Sequence, residues 1–75
     1  MVIDTSALMA ILLGELEAPR IASAIADDPK RVISSFSLLE AGIVIEAKKG
    51  EVGGRELDLL IHRSEIEVVN IIRLL

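Results

Sequence analysis

Asp4 and Glu40 are the two residues of this chain best suited to do chemistry. Asp4 follows Met-Val-Ile and precedes Thr-Ser and the apolar run Ala7 to Leu13. It falls where a buried strand would turn into a helix. In open parallel sheets, ligands bind beyond the carboxyl ends of the strands. A carboxylate among apolar neighbours is costly to bury unless it is paired, used as a cap or metal-bound. Glu40 lies in SFSLLEAGIVIEAKKG and starts the series Glu40, Ile43, Val44 and Ala47, which shares one helical face. That series predicts a core-facing carboxylate near the end of a second strand, able to meet Asp4 across the top of the sheet. Two converging carboxylates suit Mg²⁺ or Mn²⁺, hard cations that take oxygen ligands and complete their shells with water and phosphate. Such an ion polarises a phosphoryl group and acidifies a bound water. Each residue also has a plainer reading. Asp4 is a good helix N-cap, alone or with Thr5 and Ser6. Ser37 with Glu40 three residues later fits a capping box.

The elements that must position these residues follow from periodicity and punctuation. Val2 and Ile3 read as a short buried strand. A helix from Ala7 to about Leu13 follows, capped by Thr5 or Ser6 and stopped at Gly14. Pro19 stands in the first turn of a second helix, where its missing N–H costs nothing. Ala18, Ile21, Ala22 and Ile25 form its apolar stripe, and Asp27, Asp28 and Pro29 end it. RVISS, residues 31–35, is a second strand by its β-branched content. Ser37 opens a third helix that runs to Lys48 and Lys49, cations at the negative end of its dipole, with Gly50 as a left-handed cap. EVGGREL reads as a turn into a fourth helix, Arg55 to about Ser64, with the stripe Leu57, Leu60 and Ile61. EIEVVNI reads as a third strand. The order β-α-α-β-α-α-β predicts an α/β fold with a parallel sheet.

Bulk properties narrow the function. The 75 residues are 52% hydrophobic with a single aromatic, Phe36, and no cysteine, so disulfides and cysteine metal sites are excluded. Mean hydropathy is +0.59, greasy for so short a chain. Ile, Leu, Val and Ala must build the core, as suits strands covered on both faces. The run Ala7 to Leu13 is far short of the roughly 20 residues that span a bilayer, and no basic region precedes it, so neither a membrane span nor a secretory signal is expected. The net charge of −4 argues against holding nucleic acid by a broad basic patch. A cation bridging carboxylates to phosphate would be needed instead.

VIDTSALMAILLGE, ISSFSLLEAGIVIEAKKGEVGGRELDLLI and IEVV together resemble the N-terminal half of a PIN-domain protein, and more narrowly the VapC-type toxins of toxin–antitoxin pairs. The resemblance runs to about Val69. It implies a cytoplasmic, Mg²⁺-dependent (or Mn²⁺-dependent) endoribonuclease, usually a homodimer, that cleaves RNA and is inhibited by a cognate antitoxin. It implies a three-layer α/β/α fold, here about three strands and four helices, with residues 1–75 forming a partial domain. By motif match Asp4 is the family's first acidic residue and Glu40 its second. Ser6 corresponds to a small polar residue that supports the site, and Thr5 is left as structural.

The departures are as specific. The family carries further acidic residues in a second half, one commonly in a GD-type segment, whereas this sequence reads NIIRLL after Val69 and has Asn70 where a proline is usual. A truncated or frame-shifted chain with little activity of its own is expected, its first strand left with an open apolar edge. The alternative is a non-catalytic module that binds the antitoxin or an intact toxin. A receiver-like domain with Asp4 as phosphate acceptor ranks last, because its companion acidic pair and late lysine are not visible. His62 has no evident partner and reads as a surface residue. Lys48 and Lys49 read as solvated helix ends that with Arg55 could touch phosphate. Gly53-Gly54 lacks the Lys-Ser/Thr of a phosphate loop. Leu8, Leu12, Ile43 and Ile45 read as core.

Overall fold

A computed structural model describes residues 1–70. The last residue of the expected third strand, Ile71, and the rest of the tail lie outside them. Among the described residues three helices and two strands follow one another as α1 (Thr5–Leu12), α2 (Ala18–Asp27), β1 (Val32–Ser34), α3 (Ser35–Arg63) and β2 (Glu67–Val69). β1 and β2 pair in parallel, Val32 with Glu67, Ile33 with Val68 and Ser34 with Val69. Val2 adds one isolated parallel bridge to Val32. There the Ile3 amide donates to the Val32 carbonyl at 2.7 Å and the Val32 amide to the Met1 carbonyl at 2.9 Å. The expected first strand is thus this single bridge. β1 is the middle row, and Ile33 on it is fully buried.

Local chemistry explains where the helices end. α1 stops at Gly14, whose φ is +67°. The Gly14 amide bonds Ile11 O and the Glu15 amide bonds Ala10 O, the paired 5→2 and 6→1 bonds of a Schellman motif. α2 has no glycine at its end. The Arg31 guanidinium caps it instead, Nη1 donating to the carbonyls of Ile25, Ala26 and Asp28, a cation on the negative end of a dipole. Asp28 then shapes the turn, its Oδ1 accepting from the Lys30 amide at 2.9 Å and its Oδ2 pairing with the Met1 ammonium at 3.1 Å. The Lys30 amide first, then the ammonium, hold the Asp28 carboxyl below its usual range. A carboxyl depressed in the fold adds stability above its unfolded pKa and loses it as pH falls through the folded value. Asp28→Asn should therefore melt lower than the parent at pH 7, with the gap closing below about pH 4. A gap that persists in acid would show that Asp28 acts by shape rather than charge.

α3 departs most from expectation. It holds two helical arms that meet at Gly50, with φ 66° and ψ −155°, and EVGGREL, expected as a turn, is helical and lies in the second arm. The two arms fold back on each other. A Cβ on Gly53 would lie 2.9 Å from the Ile45 Cγ1, one on Gly54 would lie 2.8 Å from Glu46 Oε1, and one on Gly42 would touch Leu57. From Gly42 opposite Leu57 to Ile45 and Glu46 opposite Gly53 and Gly54, one arm is climbed while the other is descended, the pattern of an antiparallel helical hairpin. Lys49 is not simply solvated. Its Nζ pairs with Glu56 at 2.7 Å and reaches Leu12 O at 3.4 Å, tying the hairpin turn to the end of α1.

The core is Ile3, Leu8, Met9, Ile25, Ile33, Ala41, Ile45, Leu57 and Ile66. On the first arm of α3, Ala41 and Ile45 are buried with Leu38, Gly42 and Val44 half-buried beside them, whereas Glu40, Ile43 and Ala47 are exposed. Ile43, expected in the core, is 63% exposed beside Phe36 and Leu39. Leu8 and Ile45 are core as expected, Leu12 is half-buried, and Leu60 and Ile61 flank buried Leu57. No helix among the described residues is long and apolar enough to cross a membrane.

Candidate metal centre

Register brings the two acidic segments together. With Val2 opposite Val32 in parallel, Asp4 and Ser34 stand level, each two residues further on. Both are N-caps: Asp4 of α1 and Ser34 of α3. Two helix N-termini, with their unpaired amides and positive dipole ends, thus lie side by side at the carboxyl edge of the sheet.

Asp4 is an exposed residue, so the cost of burying it does not arise. Its Oδ1 accepts from the Ala7 amide and from the Ser6 hydroxyl, both at 2.9 Å. Those bonds, the Ala7 amide first, lower its pKa because they stabilise the charged form. Asp4 is the N-cap, as its plainer reading has it, and Ser6 braces it, while Thr5, also offered as a cap, lies within the helix. The cap engages Oδ1; Oδ2 takes no part in it.

Glu40 is also exposed rather than core-facing. The capping box with Ser37 does not form. Ser34 Oγ accepts from the Ser37 amide and donates to Ser37 Oγ, both at 3.0 Å, so the orphan amide already has its partner. Glu40 instead accepts at Oε1 from the Thr5 hydroxyl at 2.9 Å. Thr5 Oγ1 also lies 3.1 Å from Ser37 O. Residue 5 therefore binds the Asp4 turn to the start of α3. Sequence reading left Thr5 as structural and missed Ser34. The available signal was a serine at the exact end of a β-branched run, three residues before Ser37.

The donor chemistry here is all hard oxygen, which fits Mg²⁺ or Mn²⁺ and not a soft metal. Two carboxylates are within the usual protein share for Mg²⁺, with water and phosphate supplying the rest. Among the described residues no cluster of three or more acidic, His or Cys side chains forms a fuller metal site. His62 is exposed, as expected.

The "Ribonuclease VapC" of Mycolicibacterium smegmatis is 56% identical over 69 residues, 92% of this chain and 54% of that protein. "Ribonuclease VapC30" of Mycobacterium tuberculosis is 52% identical over 69 residues, 92% of this chain and 53% of its own length. "Putative ribonuclease VapC34" of the same species is 52% identical over 56 residues, 75% of this chain and 68% of its own. This chain spans about half the length of the first two relatives. The PIN domain model matches residues 1–74, and with these relatives it establishes that the chain belongs to the PIN-domain family, in its VapC ribonuclease branch.

Proposed function

We propose that this chain supplies the N-terminal half of the site of a Mg²⁺- or Mn²⁺-dependent endoribonuclease toxin with a three-layer α/β/α PIN fold. The observation that carries the reading is the Thr5–Glu40 hydrogen bond of 2.9 Å, which links Glu40 to the residue beside Asp4. When bound, the cation would supply a polarised phosphoryl group and an acidified water. The chain's own residues have simpler tasks. Asp4 is kept ionised by the Ala7 amide and Ser6, so it meets the cation already charged. Ser6 fixes its rotamer through Oδ1. Glu40 offers a second carboxylate from the neighbouring helix start. RNA reaches an open, exposed edge rather than a closed pocket.

Two carboxylates give weak affinity, so the 75 residues alone should cleave RNA little. The test is a chimera that joins residues 1–69 to the remaining half of the M. smegmatis relative. It should cleave RNA with Mg²⁺ or Mn²⁺ and stop with chelator. Asp4→Asn or Glu40→Gln should lower its rate by about a hundredfold or more, since a catalytic metal is worth several kcal/mol and each 1.36 kcal/mol is tenfold. Undiminished cleavage by the Asp4→Asn chimera would defeat the reading.

One observation favours a second reading. Phe36, Leu39 and Ile43 lie on one face of α3 and are each 62–63% exposed. Such a stripe suits a non-catalytic module that pairs with a cognate antitoxin, with an intact toxin or with a second copy of itself. Co-purification with the product of the neighbouring gene checks it, and failure to bind any such partner removes it.

A further inference from the structure

We infer that Thr5 is a positioning residue for metal binding: its hydroxyl tethers the Glu40 carboxylate to the residue that follows Asp4. The inference rests on the metal reading above and deepens it. Glu40 stands on a solvent-facing turn of α3 and, being exposed, would sample several rotamers if nothing held it. Ordering a long side chain at the moment of metal binding costs conformational entropy. Thr5 meets that cost in advance. It has one hydroxyl proton and two acceptors, Glu40 Oε1 at 2.9 Å and Ser37 O at 3.1 Å. The carboxylate is nearer and charged, and charge-assisted bonds are the stronger, so the proton favours Glu40. The Ser37 carbonyl guides the hydroxyl toward the start of α3.

Residue type matters here. Thr5 is half-buried and sits in the first turn of α1 directly after the Asp4 cap. Its β-branched side chain has few rotamers, so little freedom is lost when the hydroxyl bonds Glu40. The two carboxylates then divide their oxygens in the same way. Asp4 uses Oδ1 for Ser6 and Ala7, and Glu40 uses Oε1 for Thr5. Partners that orient a ligand from behind commonly matter about tenfold to a hundredfold in metal affinity.

The experiment is a Mn²⁺ titration of the full 15N-labelled chain, read as paramagnetic broadening of the amide signals of Asp4–Ala7 and Ser37–Ala41. It requires no catalysis. Thr5→Val keeps the shape and removes the hydroxyl, and should weaken binding about tenfold. Thr5→Ser restores the hydroxyl and should recover most of the affinity. Thermal melts of both variants separate this from loss of the fold. Should Thr5→Val lower affinity only in proportion to a fall in melting temperature, with Thr5→Ser giving no rescue, the role is structural and the inference fails. Should Asp4→Asn abolish broadening while Thr5→Val matches the parent, the metal reading stands and the positioning role is overturned. Should Asp4→Asn bind Mn²⁺ like the parent, the metal reading falls and takes this inference with it.

Discussion

Leu8→Ala is expected to cost about 2–5 kcal/mol, a large share of the stability of so small a domain, about 4–11 kcal/mol by per-residue norms. Leu8 is fully buried in the same cluster as Ile33 of the sheet and Ile45 of α3. With Met9 of the same helix it anchors α1 in that cluster. Truncation removes its transfer free energy and leaves a cavity that surrounding backbone cannot fill. With an m-value near 1 kcal/mol/M, the urea midpoint should fall by about 2 M or more. Leu16→Ala is the control. Leu16 is 97% exposed, and its loss should leave the midpoint unchanged. Equal midpoints for parent and Leu8→Ala would contradict the packing described here. The change also bears on the site, because α1 carries Asp4 and Thr5 to Glu40. A loosened α1 should abolish the broadening by Mn²⁺ even at urea concentrations where the helices persist.

Gly53→Ala is the second large effect, and here two terms compete. Alanine in place of a helical glycine gains about 1 kcal/mol in propensity. At position 53 its Cβ would lie 2.8 Å from Lys49 Cβ and 2.9 Å from both Ile45 Cγ1 and Ile45 O. A backbone oxygen and a Cβ cannot swing aside, so the arms of the hairpin must part. Overpacking of this kind costs about 1–3 kcal/mol, and it should win. Gly54→Ala meets Glu46 Oε1 at 2.8 Å, the mobile tip of an exposed side chain that can rotate away. There the propensity term should dominate, leaving the variant neutral or stabilised. Adjacent glycines with opposite signs in urea unfolding would identify the hairpin contact. Stabilisation by both substitutions would mean that the arms do not pack as described.

Much of the fold was legible in the sequence, and the legible part was local. Gly14 and Gly50 both have positive φ, as their places after apolar helices implied. Pro19 stands in the first turn of α2. The segment Val32–Ser34, with β-branched Val32 and Ile33, is a strand, and its partner is parallel. Asp4 stood out because a carboxylate at an element boundary is visible in a few neighbouring letters, and it is the N-cap of α1. Caps, turns and strand propensity depend on contacts within four or five residues, so the chain states them directly.

Tertiary structure decided what those letters leave equal. The first arm of α3 is apolar on most of its surface. Glu40, Ile43, Val44 and Ala47 make one stripe by spacing, Phe36, Leu39 and Ile43 another, and Leu38, Ala41, Gly42 and Ile45 a third. Periodicity cannot rank stripes of similar apolar content. The choice fell to shape: Gly42 and Gly53 let the second arm approach closely, and that turned Ala41 and Ile45 inward and Ile43 and Glu40 outward. Ser34, not Ser37, caps α3 because it lies at the end of β1 with extended backbone and an oxygen aimed at the orphan amide. Thr5 gained a partner from a helix 35 residues away. That contact depends on the parallel bridge at Val2 setting Asp4 level with Ser34, a long-range register that no neighbouring residue encodes.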